Sequence, residues 1–147
     1  MKILNKIVDI KTNGLFDFID ITDELISLTE ESQILNGILN VQTMHTTAMI
    51  MVNENEPLLI EDIKKNLEKI APSTDDYQHD NFEIRKINLC DDECDNGHSH
   101  CKAIHLLPSA TLNILDGRLQ LGDWQRVIFV ELDRPRERRY QIQVMGE

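Results

Sequence analysis

Asp116-Gly117 stands between two runs rich in apolar residues, 111–115 and 118–121. Both residues tolerate positive φ, so a two-residue Asp-Gly link between such runs predicts a tight antiparallel hairpin. The residues that follow agree. Residues 125–132 are β-branched and aromatic, and residues 139–145 alternate Tyr140, Ile142 and Val144 against Arg139, Gln141 and Gln143. Such alternation marks a strand buried on one face. The last third of the chain therefore reads as antiparallel β structure, against which the rest must pack.

Earlier strands are expected over residues 2–11, where Ile3, Asn5, Ile7 and Asp9 oppose Leu4, Lys6, Val8 and Ile10, and briefly over 16–19 after the hairpin-type turn Asn13-Gly14. Residues 37–52 read as β structure, and an unbroken strand there puts Thr43, His45 and Thr47 on one face. Two helices fit between these elements. Thr22 is the expected N-cap of one that ends near Ser32, with Asp23 and Glu24 at the positive end of the helix dipole. The other enters at Pro57 and carries Leu59, Ile63, Leu67 and Ile70 at helical spacing. Pro72 ends it. Residues 73–80 and 90–96 read as polar loops, 103–107 as strand-like, and 82–89 fits a strand or an irregular piece. These elements give one domain over residues 1–147 that mixes antiparallel β structure with two helices.

The formal net charge of −11 argues against non-specific nucleic-acid binding, which needs a basic surface, and against docking on an anionic membrane. No window holds the ~20 apolar residues that cross a bilayer. The N-terminus lacks the apolar run and cleavage site of a signal peptide, so a cytoplasmic location is expected. Three cysteines, Cys90, Cys94 and Cys101, then read as thiols and not as a disulfide framework.

Chemistry concentrates in residues 95–103, Asp-Asn-Gly-His-Ser-His-Cys-Lys-Ala. His45 and His79 lie far away in sequence beside polar or acidic residues. Neutral imidazoles are ligands for zinc and similar metals, and three of them leave a position open for water or substrate. Spacing alone also fits surface histidines in polar loops plus one hydrogen-bonded strand histidine. Cys90, Cys94, His98, His100 and Cys101 can ligate from one loop, but their spacing is not that of a zinc finger or ribbon. Asp91, Asp92 and Glu93 oppose a reactive thiolate there. Glu54, Asp75, Asp76, Asp80 and Glu131 are carboxylates suited to acid–base work or to holding a ligating imidazole, or they simply make an acidic surface. Trp124 reads as a core or interface anchor. The turn with Arg134, Arg136, Arg138 and Arg139 is either an anion site or a solvated turn. There is no phosphate loop, dinucleotide fingerprint or nucleophile elbow.

Five stretches occur in order: His45-Thr46-Thr47-Ala48 leading to Asn53-Glu54-Asn55, Tyr77-Gln78-His79-Asp80-Asn81, Gly97-His98-Ser99-His100-Cys101-Lys102-Ala103, Leu119-Gln120-Leu121-Gly122-Asp123-Trp124-Gln125, and Pro135-Arg136-Glu137-Arg138. Together they resemble the YjbQ-like family, also called UPF0047 or the secondary thiamine-phosphate synthase family. The resemblance covers nearly the whole chain. This chain has Thr46-Thr47 where members often have Thr-Ser, and Gly122-Asp123-Trp124-Gln125 where they often have Gly-Thr-Trp-Gln. The resemblance implies an α+β fold, a mainly antiparallel β-sandwich core with two flanking helices, assembled as a homotrimer, and a site with a divalent metal, zinc by its donor type, held by His45, His79 and His100. It implies a metal-dependent enzyme acting on a phosphorylated or anionic small molecule, with weak thiamine-phosphate synthase activity as the named transferase reaction. In that reading Glu54 or Asp80 is the base or supports the metal ligands, and Lys102, Arg136 and Arg138 hold the anion. The alternative is a trimer that binds a metal or ligand without turnover.

Overall fold

The computed structural model describes residues 1–147. Eight strands and three helices follow in the order β1 (Lys2–Lys11), β2 (Asp17–Asp20), α1 (Thr22–Ser32), β3 (Gly37–Thr43), β4 (Ala48–Asn53), α2 (Pro57–Ile70), α3 (Gly97–Ala103), β5 (Ser109–Leu115), β6 (Arg118–Leu119), β7 (Arg126–Glu131) and β8 (Glu137–Gly146). They build two antiparallel sheets, β1-β8-β3-β5-β6 and β2-β7-β4. The α+β expectation holds, with three helices in place of two.

The sheets face each other through the inward side chains their alternation predicts. Leu39, Val41, Ile114, Tyr140, Ile142 and Val144 of the larger sheet meet Ala48, Ile50, Val127 and Phe129 of the smaller, and Leu25 and Leu28 of α1, with Ile21 just before it, close the edge of this core. The smaller sheet buries its other face too. Met49, Met51, Ile128 and Val130 pack against Ile60 and Leu67 of α2 and Ala103 of α3. A strand buried on both faces reads as a continuous apolar run, which explains Val127-Ile128-Phe129-Val130.

The hairpin that dominates the sequence forms as expected. Asp116 and Gly117 both take positive φ, 51° and 73°, between β5 and β6. Helix α2 starts where expected, with the Glu56 side chain accepting the amides of Leu58 and Leu59.

Four local expectations fail for physical reasons. Asn13-Gly14 turns a corner between sheets, because β1 pairs with β8 and β2 with β7. Thr22 is inside α1, and the carboxylate that takes its amide belongs to Asp20, at 2.9 Å. The strand expected over 37–52 breaks after Thr43. β3 pairs with β5 and β8, while β4 crosses to β7, so His45 sits on the crossover and not on a strand face. Residues 103–107, read as strand-like, follow helix α3 and contribute a single bridge, Leu107 to Ile50, instead of a strand.

Candidate functional site

His79 lies in a single 3₁₀ turn, Gln78–Asp80, after a polar loop with no apolar pattern to fix it. Asp80 does the fixing. Its carboxylate accepts the amide of Asn96 at 3.0 Å and that of Gly97 at 2.9 and 3.2 Å. These are free donors at the start of α3, where a negative charge is favoured. Gly97 is required by proximity: a Cβ there would run into Cβ of Tyr77 and stand 3.0 Å from the Asp80 carboxylate. The tie brings His79 and His100 ring to ring, 4.6 Å apart at 62°.

Both histidines line a cavity of about 680 Å³ together with Thr46, Thr47, Asn96, Arg85, Arg136 and Arg138. That size suits a small-molecule ligand. Three arginines and one glutamate, Glu93, make the lining cationic in a chain of net charge −11. Each guanidinium is anchored. Arg138 grips Glu131 in a two-bonded fork, at 2.7 and 2.6 Å, and donates to Thr47 Oγ1 at 2.9 Å. Glu131 is fully buried; it also accepts from Thr12 Oγ1 and from the amides of Leu132 and Asp133. Its charge is thus met on every side, as a buried carboxylate requires. Arg136 binds Asp133 through Nε and Nη2. In both residues these bonds leave Nη1 free to donate to a ligand. Arg85 differs, since it is committed to the carbonyls of His79, Ile87 and Asn88 and to Glu93. It ties residues 79–93 into one wall.

Burial lowers the pKa of His100, and the neighbouring His79 and Arg85 lower it further. Burial and then Arg138 do the same to His45, against an opposing effect of Glu131. Both imidazoles are therefore neutral at pH 7, the state that ligates metals or accepts a proton.

His45 stands apart from the pair. Its Nε2 accepts the backbone amide of Arg139 at 2.8 Å, and it lines a second, more apolar cavity with Thr46, His100, Ile104 and Leu106. His100 borders both cavities and so lies between the other two histidines. No three side chains of histidine, cysteine, aspartate or glutamate gather closely enough to hold a metal ion. Two imidazoles converge where the sequence suggested three.

Lys102 does not reach the cavity. It is 0% exposed, and its ammonium contacts Glu68 at 3.1 Å, Ser73 at 3.2 Å and His98 Nδ1 at 3.0 Å. Alternate faces of α3 explain this, since His98 and Lys102 share one face while His100 takes another. Glu54 follows the far end of β4 from Thr47, a separation of roughly 20 Å at strand rise. Asp80 binds the amides of α3 and faces a neighbouring acidic cavity with Asp75, Asp76 and Asp95. It positions the histidines and does not line their cavity. The three cysteines are free thiols, and Trp124 is 74% exposed, so it anchors no core within the chain.

Two site residues escaped the sequence reading, and a third, Glu131, was named without its role. Arg85 lay in a stretch without periodicity. Asn96 lay in a stretch, 90–96, that reads as a polar loop. Glu131 was only one of several acids until its buried fork with Arg138 was visible. A charge inside an otherwise apolar strand, Val127 to Leu132, was the available signal for the last.

The family model described as "UPF0047 protein YjbQ-like" matches residues 6–147. A UPF0047 protein of Methanothermobacter thermautotrophicus is 37% identical over 147 residues, covering 100% of this chain and 95% of that protein. A solved structure of a YbjQ-like protein of unknown function from Sulfolobus solfataricus superposes with a TM-score of 0.86 at 33% identity, over 99% of each chain. A hypothetical protein of Aeropyrum pernix gives 0.85 at 30% identity, over 98% of this chain and 99% of that one. These matches span nearly the whole chain, and the chain belongs to the UPF0047 YjbQ-like family.

Proposed function

We propose that the cavity between His79, His100 and the arginine turn is the active site of a metal-dependent enzyme that acts on a phosphorylated or otherwise anionic small molecule. The observation that carries this reading is the convergence of the His79 and His100 imidazoles with the anchored guanidinium groups of Arg136 and Arg138 around one cavity. Guanidinium groups held by carboxylates are pre-oriented donors, so little freedom is lost when an oxyanion binds. Thr46 adds a hydroxyl at the same wall. His79 and His100 supply nitrogen donors of the kind zinc prefers, and His79 Nε2 is buried without a partner, which fits an ion. A bound zinc supplies Lewis acidity toward a phosphoryl or diphosphate oxygen.

The named reaction of the family, joining a pyrimidine diphosphate to a thiazole phosphate with release of pyrophosphate, belongs to this class. Its departing diphosphate is the group Arg136 and Arg138 would receive. The test combines calorimetry with pyrophosphate and a turnover assay with both substrates. Arg136→Gln should weaken pyrophosphate binding about tenfold, the loss of one charge-assisted contact. His100→Ala should abolish turnover. Unchanged binding in Arg136→Gln would sink the anion assignment.

The second reading is a trimer that binds its ligand without turnover. It is favoured by the separation of His45 from the pair and by exposed Met44, Ile104 and Leu107 near the second cavity, a surface suited to another subunit. Sedimentation gives the assembly state. Absence of turnover across a screen of phosphate esters and diphosphates, with pyrophosphate still bound, selects this reading.

A further inference from the structure

Two buried side-chain polar atoms in the chain lack a hydrogen-bond partner, His79 Nε2 and Asn96 Oδ1. Both residues line the same cavity. Buried polar atoms are nearly always satisfied, and an unmet one destabilises the fold. Two such costs at one cavity, and none elsewhere, point to a bound group that meets both.

Asn96 has no structural duty to explain its burial. It is the N-cap of α3, where asparagine normally uses its side-chain oxygen on a helix amide, yet it makes no such bond. The Asp80 carboxylate takes the Gly97 amide instead, and the Ser99 amide goes to the Asn96 main-chain oxygen. Asn96 is 6% exposed, so water is excluded from its amide oxygen. A neutral imidazole nitrogen and an amide oxygen both offer lone pairs. One small electron-pair acceptor satisfies both, and a bare cation is smaller than a water molecule. Asn96 and His100 are four residues apart along α3, which puts them on one face, and Asp80 binds the Asn96 amide immediately after His79 in the chain.

We infer that Asn96 is a metal ligand through Oδ1, completing with His79 and His100 a nitrogen–oxygen site for a divalent cation. It takes the place expected for His45, whose Nε2 is already given to the Arg139 amide. The inference rests on the metal part of the proposed function. Two imidazole nitrogens and one amide oxygen form a mixed set that accepts Co²⁺, Ni²⁺ or Mn²⁺ as well as Zn²⁺.

The test titrates metal-free protein with Co²⁺ and with Zn²⁺ by calorimetry and records the visible absorption of the Co²⁺ form. Asn96→Ala should lower affinity about tenfold or more, on the scale of losing a ligand-shell contact, and should change the Co²⁺ spectrum. Asn96→Asp, which keeps an oxygen and adds charge, should bind at least as tightly as the parent. His45→Ala should leave affinity and spectrum unchanged. Metal-free Asn96→Ala should melt at or above the parent temperature, because it removes an unmet acceptor; a merely structural asparagine would lower it. Parent-like metal binding by Asn96→Ala, or a greater loss in His45→Ala, overturns the assignment of Asn96 and leaves the metal proposal standing. A parent protein that binds neither ion overturns both.

Discussion

Asp80 holds Gly97 by its backbone amide, at 2.9 and 3.2 Å from the two carboxylate oxygens. Through this contact the polar loop carrying His79 becomes part of the helix carrying His100. Asp80→Ala should destabilise the protein by about 2–3 kcal/mol, since bonds to a charged group are stronger than neutral ones. Pyrophosphate affinity should fall with it. Urea denaturation and calorimetry measure the two, and a change in neither means that the contact positions nothing.

Glu131 and Arg138 form a buried pair with unequal consequences. Glu131→Ala strands Arg138, Thr12 and two amides together, and should cost about 3–5 kcal/mol. Arg138→Lys keeps a charge but loses the fork with Glu131, and should cost about 1–2 kcal/mol on the scale of one or two lost hydrogen bonds. Denaturation midpoints should keep that order.

Lys102 offers the reverse case. Its partners Glu68, Ser73 and His98 lie toward the acidic cavity, and Glu68 is 39% exposed, so water can replace the ammonium there. Lys102→Met, which fills the same volume, should cost less than about 2 kcal/mol and leave pyrophosphate binding intact. A tenfold loss of affinity would return Lys102 to the ligand site.

Stability of the metal-free protein should decline in two stages as pH falls. Burial first, then a neighbouring cation or imidazole, holds His45, His98 and His100 below the ordinary histidine range. The unfolded chain takes up their protons first, near about pH 6.5. Their contribution is therefore whole above that pH and is lost as pH falls through the lowered folded values. Asp20, Glu24 and Glu68 give the second stage. Burial raises each, but hydrogen bonds outweigh it: Arg126, Thr22 and Asn55 bring Asp20 to about 2, Tyr140 and Lys6 lower Glu24, and Ser73 and Lys102 lower Glu68. Their contribution is whole above about pH 4.3 and is lost toward pH 2. Urea midpoints at intervals from pH 8 to pH 3 check this; a flat curve between 7.5 and 5 contradicts the first stage.

The legible parts of the fold are those whose cause is local. Asp116-Gly117 forms its hairpin from two residues, and Glu56-Pro57 opens α2 through its own side chain and ring. The break at Met44–Thr47 has no glycine or proline to mark it. It is imposed by the demand of β4 for a partner in the other sheet, which no window of sequence displays. Helix α3 is seven residues long, too short to show periodicity, and depends on a carboxylate from another loop. The pairing of His79 with His100 was expected through resemblance to relatives, whereas the standing of His45 depends on an amide from β8. Arg85 and Asn96 became visible only with burial and partners, because their side chains differ from ordinary loop residues in what surrounds them.

The position of β8 in the larger sheet has a temporal consequence. It lies between β1 and β3, so the first strand cannot pair until the last one has left the ribosome. Long-range pairing of this kind slows folding. The amide that holds His45 and the guanidinium groups facing the cavity come from the same late segment, residues 136–139. Ribosome-held chains lacking it would carry an unpaired β1 edge, guarded by Lys2, Lys6 and Lys11 against sticking to neighbours, and would have no anion site. Any activity of the cavity thus waits on the synthesis of β8.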